Sequence, residues 1–272
     1  MYRNSILTYC YLFLLHFSAI HSSAYFLEQP NDFFLGGLLG AGASTNAVRM
    51  GAHVNPATLR PQKKGFLFQI SRPFQMKELQ KTSLNGFWDL NQWGFGLSIH
   101  QFSAGELYLE QELSTQLSFK FPPWLMVGGR FHFRRLEITQ FSYTVFPGES
   151  MGFVLFPNQK VTFGFFQTDL LSQYYVPSPI NPIFQGGVSF SPHKIYTLYF
   201  DYRRERNKIW RSLFGQVIKP YSFLQFYVGL ANQPFQFSMG ITVGIPHLKI
   251  FAGSKSHKSL GRTSLYGVRG IR

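Results

Sequence analysis

The most chemically loaded run in the chain is Arg130, His132 and Arg134, three basic side chains spaced two apart. On a strand, residues i and i+2 point the same way, so this run forms a cationic ladder on one face. Two uses fit such a ladder. One is to bind an anionic or carboxylate-bearing ligand. The other is internal salt bridging to Glu110, Glu112 or Glu137, and the residue types leave both open. Ser98 and His100 share a face by the same rule, as a wall-borne lipase would need, but such a pair is expected by chance in a chain this rich in serine. There is no Gly-x-Ser-x-Gly elbow, phosphate loop, His-Glu-x-x-His or cysteine pair, and the eight histidines are dispersed. The expectation is a protein with no catalytic residue, no metal site and no cofactor: not an enzyme.

The elements that carry the ladder follow from its surroundings. Val127, Gly129, Phe131 and Phe133 occupy the alternate positions, so one face is charged and the other apolar. The same two-residue rhythm is clearest in the run 235–245. There Phe235, Phe237, Met239, Ile241, Val243 and Ile245 alternate with Gln236, Ser238, Gly240, Thr242 and Gly244. Such a run is long for a soluble strand, and it matches the roughly 9–11 residues that a tilted strand needs to cross a bilayer core. It recurs from residue 63 to the C-terminus, as in Trp93, Phe95, Leu97 and Ile99 against Gly94, Gly96, Ser98 and His100. An arginine turned to lipid at mid-depth would cost roughly 2–4 kcal/mol, so Arg130, His132 and Arg134 are assigned to the lumen or the rim.

Composition agrees. Aromatic residues make up 18% of the 272-residue chain and charged residues only 14%, a balance that suits a lipid-facing wall better than a soluble surface. The net charge of +14 fits a cationic lumen or rim. The bases are scattered between aromatic strands rather than gathered on one helix or face, so nucleic acid is not an expected partner. Residues 1–24 read as a secretory signal, with Arg3 ahead of an apolar run and Ser22-Ser23-Ala24 at its end. The only cysteine, Cys10, lies within it.

Residues 25–62 differ from the rest. Phe33 to Ser44 is rich in Gly and Ala, and Asn46 to Leu59 contains Arg49 and the pair Asn55-Pro56. Asn55 is placed to cap a short helical turn opened by Pro56. The prolines suggest turns at Pro122-Pro123, Pro147-Gly148-Glu149, Ser191-Pro192 and Lys219-Pro220, with a long polar loop over 169–182. The expected architecture is all-β: a transmembrane antiparallel barrel of about 12–14 strands spanning 63–272, with a hatch-like segment over 25–62.

The Gly/Ala-rich lead, the Asn55-Pro56-Ala57-Thr58-Leu59 turn and the run Gly187-Val188-Ser189-Phe190-Ser191-Pro192 with its following strand to Asp201-Tyr202 resemble the FadL-like outer-membrane barrels. That group includes long-chain fatty-acid transporters and the PorV and PorQ components of type IX secretion. The resemblance implies 14 strands, a segment before the first strand that enters the barrel, and residence in the outer membrane of a diderm bacterium. Arg49, Asn55 and Pro56 are the hatch candidates and Arg130, His132 and Arg134 the lumen ligand candidates. Two functions follow from it. The first is a passive channel for hydrophobic or amphipathic molecules such as long-chain fatty acids, with outer-membrane lipid around it. The alternative is a non-transporting anchor or scaffold for secretion-complex proteins. Two features depart from the pattern: Thr45, Asn46 and Arg49 stand where acidic residues often precede the Asn-Pro pair, and the chain ends in Ile271-Arg272 rather than an aromatic residue.

Overall fold

The computed structural model describes residues 38, 41–44, 55–59, 64–90, 92–121, 123–140, 143–169, 182–205, 210–258 and 260–271. The expected signal segment and Arg49 lie outside the described residues. The strands are β1 (Gly65–Arg72), β2 (Leu79–Leu90), β3 (Trp93–Ala104), β4 (Tyr108–Phe121), β5 (Leu125–Ile138), β6 (Thr144–Leu155) and β7 (Val161–Thr168). They continue as β8 (Ile183–His193), β9 (Tyr196–Glu205), β10 (Arg211–Tyr221), β11 (Leu224–Ala231), β12 (Gln236–Ile245), β13 (Leu248–His257) and β14 (Gly261–Ile271). Each pairs antiparallel with its sequence neighbours, and β1 closes on β14 with Gly65 opposite Ile271 and Arg72 opposite Ser264. The range of 12–14 thus resolves to a closed barrel of 14. Closure leaves no open sheet edge, and an unsatisfied backbone group in hydrocarbon is costly.

Side chains sort by parity. Along β3 each residue from Trp93 to Phe102 alternates between exposed and buried. On β5, Phe131 is 69% exposed while neighbouring His132 is 1% exposed. In β12, Met239 and Val243 face out, whereas Gln236, Ser238 and Thr242 are buried. The result inverts a soluble protein, with an apolar outer belt around a polar interior. The interior has two sides. Tyr199, Leu213, Val217, Tyr227 and Phe251 form an apolar cluster from β9 to β13. Facing it, Ser83, Asn85, Ser98, His100, Glu112 and Ser114 line β2 to β4.

The two ends also differ. The short connections 194–195, 222–223 and 246–247 share one end, and the end of β7 and the start of β8 lie at the other; most of the expected loop over 169–182 lies outside the described residues. Three expected turns are corrected. Pro147-Gly148-Glu149 lies inside β6, Pro192 inside β8 and Pro220 inside β10. β6 pairs with β7 only from Ser150 to Leu155, so at Pro147 that side of β6 has no strand partner and the missing donor costs least. Pro192 and Pro220 sit at register shifts, between Phe190 and His193 and between Ile218 and Tyr221, where a bulge excuses the missing donor.

Candidate functional site

The basic ladder is held inside the barrel. Arg130, His132 and Arg134 are 6%, 1% and 3% exposed. β4 runs beside β5 with Glu112 opposite Arg134, and Arg134 Nε donates to Glu112 Oε2 at 2.9 Å. Arg134 Nη1 also donates to both oxygens of Asp169 at 3.1 Å, and His132 Nε2 lies 2.9 Å from Asp169 Oδ1. Arg130 Nη2 donates to Ser150 Oγ on β6 at 3.2 Å. Of the three expected acidic partners, one is used. Glu110 instead accepts from the Tyr108 hydroxyl, and Glu137 pairs with Arg135 at 2.8 Å on the outer face. Asp169 has no spacing signature, because it reaches the ladder only through the pairing of β5, β6 and β7. Gly148 makes room for it: a Cβ there would lie 2.0 Å from His132 Nε2 and 2.3 Å from Asp169 Oδ1. Arg134, with a carboxylate on each side, ties β4 and β5 to the end of β7. Ser98 and His100 also face the lumen. Among the described residues no group of three or more His, Cys, Asp or Glu is placed to hold a metal ion.

The described parts of the N-terminal region pack against the inner wall. Asn55 caps the short helical turn Pro56–Thr58, its Oδ1 accepting from Ala57 N at 3.0 Å. Its Nδ2 donates to Ala43 O at 2.7 Å and also reaches the β6 and β7 carbonyls of Phe153 and Phe165, at 3.2 and 3.3 Å. Gln116 Nε2 donates to Pro56 O at 2.7 Å, and the Ser118 hydroxyl donates to Leu59 O. On the far side, Asp201 Oδ2 accepts from the backbone N–H groups of Gly42 and Ala43 at 2.8 and 2.7 Å and from Gln185 Nε2 at 2.7 Å. Leu38, Ala41 and Ala43 are fully buried in the apolar cluster. The inner-face glycines permit this approach. A Cβ at Gly164 would lie 1.9 Å from Ala43 O, and one at Gly128 would lie 2.4 Å from Pro56 C.

The outer face of the same sector carries an apolar groove of about 850 Å³. Trp93, Phe95, Phe119, Phe131, Phe153 and Phe165 form its walls, and Gly128, Gly129 and Gly152 lie on its floor. Gln116 and Ser118 of β4, whose side chains face the lumen, also border it. Behind the floor stands the Asn55–Thr58 turn: a Cβ at Gly152 would meet Asn55 Oδ1 at 2.2 Å. Sequence reasoning placed glycines in strands but did not see that three of them coincide. That coincidence depends on the register of β5 with β6, which sets Gly128 opposite Gly152.

No protein-family model matches the chain, and no curated protein sequence matches it. Solved structures do. The CymD monoaromatic hydrocarbon channel superposes with a TM-score of 0.66 at 12% identity, covering 89% of this chain and 97% of that one. A Pseudomonas aeruginosa FadL homologue gives 0.64 at 11% identity, covering 88% and 97%. The Pseudomonas putida toluene transporter TodX gives 0.61 at 9% identity, covering 84% and 94%. At these identities the likeness is one of fold, and it extends over almost the whole of each neighbour. The 14-stranded closed barrel of this chain has the fold of the FadL-like outer-membrane barrels.

Proposed function

We propose that this protein is an outer-membrane channel for hydrophobic or amphipathic small molecules, with residues 25–62 acting as a plug. One observation carries the reading: the apolar groove on the outer wall meets a glycine floor backed directly by the Asn55–Thr58 turn. A hydrophobic solute gains little from a polar water-filled pore, but it gains from a path between the apolar side of the lumen and lipid. The cluster of Tyr199, Leu213, Tyr227 and Phe251 offers the apolar lumen surface. Arg130, His132 and Arg134, on β5, supply the charged part of the inner wall that would meet an anionic head group. The apolar outer belt supports a seat in a bilayer, and the fold supports the outer membrane of a Gram-negative bacterium. The neighbours named above are hydrocarbon transporters and a FadL homologue, and none favours a secretion-complex scaffold.

The test is uptake of labelled long-chain fatty acid, and separately of labelled toluene, into liposomes holding the purified barrel. Uptake above empty liposomes is expected for at least one solute. Gly129 faces outward over the groove, and the closest atom to a Cβ there is 3.9 Å away, so Gly129→Phe fills the groove without touching the turn behind it. That variant is expected to lower the rate about tenfold with unchanged heat-modifiable gel mobility. No uptake by the parent protein, or full uptake by the filled variant, would refute the reading.

A further inference from the structure

We propose that the outer rim where β14 meets β1 is a binding surface for the phosphorylated head group of a membrane lipid, seated between Arg72 and Arg262. The inference rests on the bilayer placement proposed above but not on transport. Strand parity turns four arginines outward among the described residues: Arg72, Arg135, Arg204 and Arg262. All four lie at the end of their strands opposite the short turns, and among the described residues no strand carries an outward lysine or arginine at the short-turn end. Two of the four are accommodated locally. Arg135 pairs with Glu137 at 2.8 Å and lies over Tyr143, while Arg204 lies over Trp210.

Arg72 and Arg262 differ. Arg72 stands opposite Ser264, which makes Arg262 its diagonal neighbour across the seam, roughly 7–8 Å away at the backbone. Arg262 Nε donates to Ser254 Oγ at 2.6 Å, and neither guanidinium has a carboxylate partner among the described residues. Exposed Lys77 and Lys258 flank the seam on the adjoining turns, with Glu78 the one acid beside them. The chain holds no Asp or Glu at all from residue 206 onward. Two unpaired like charges at a lipid interface repel each other in a medium that screens them poorly. A phosphate between them relieves that repulsion, and the planar guanidinium fork matches its oxygens better than an ammonium would. Exposed Phe68 and Tyr266 lie four residues further along the same outer faces and would support the acyl chains.

The test uses the full barrel in neutral detergent and counts retained lipid by native mass spectrometry. The probes are a bis-phosphorylated glycolipid, the same lipid after phosphatase treatment, and inorganic phosphate as competitor. Retention is expected for the phosphorylated form and at least about tenfold less for the dephosphorylated one. Arg72→Gln with Arg262→Gln should weaken retention about tenfold, and Arg135→Gln with Arg204→Gln should leave it unchanged. Should the first pair not fold, Arg72→Lys with Arg262→Lys keeps the charge, loses the fork and should weaken retention several-fold. Millimolar phosphate should fail to displace the lipid. Equal retention of both lipid forms, displacement by free phosphate, or equal losses in the two glutamine pairs would overturn the proposal.

Discussion

Arg134 shows what a buried charge does in this wall. Its guanidinium lies between Glu112 and Asp169, both nearly inaccessible, so one cation is shared by two carboxylates inside the barrel, with Arg130 and His132 on the same inner face. Removing one partner strands the others. Arg134→Leu should therefore destabilise the barrel by about 3–5 kcal/mol, read as a lower midpoint in heat-modifiability or urea titration. A triple change that also makes Glu112→Gln and Asp169→Asn should recover much of the loss. The ladder itself was legible, because two-residue spacing alone turns Arg130, His132 and Arg134 to one face. Asp169 was not legible, because nothing local to it signals a partner at the level of His132. Asp201 was visible only as the end of a familiar strand. Its work, accepting two backbone N–H groups from residues 42 and 43, depends on a segment distant in sequence. Asp201→Asn should loosen that anchor by roughly 1.5–3 kcal/mol and increase open-channel bursts in planar bilayers. An unchanged trace would separate Asp201 from the proposed plug.

Strands were easier to find than their ends. Alternation marks a strand directly, since one face meets an apolar medium and the other does not. Proline marks an end only when the missing donor would have had a partner. At Pro147 the neighbouring strand has already stopped, and at Pro192 and Pro220 the register slips. Each is therefore a strand residue that reads as a turn. The glycines carry a second lesson at this scale. Gly164 and Gly129 look alike in the sequence, but one presses on Ala43 O and the other borders the open groove. Gly164→Ala should cost about 1–3 kcal/mol, because backbone rather than a flexible side chain must move. Gly129→Ala should be close to neutral in the same melting assay. Similar losses at both positions would contradict the packing of residues 43 and 44 against β7.

The whole molecule follows from one physical requirement. A sheet whose outer face is apolar and whose backbone must stay paired has to close on itself. The rhythm of the sequence carries that requirement, which is why a closed antiparallel barrel is readable from the residues alone. The strand number was bounded rather than fixed, because hairpins with strand-borne prolines blur the count. The groove and its glycine floor needed the closed register. The barrel's orientation in lipid is tested most directly by a spin-label scan of β5. Cys10 is replaced by serine, single cysteines are placed in turn from residue 125 to 138, and the labelled protein is folded into liposomes. Oxygen accessibility should alternate with a period of two, high at 127, 131 and 133 and low at 130, 132 and 134. A flat profile, or high water accessibility at 131 and 133, would contradict a barrel with an oily exterior around a polar, charge-balanced lumen.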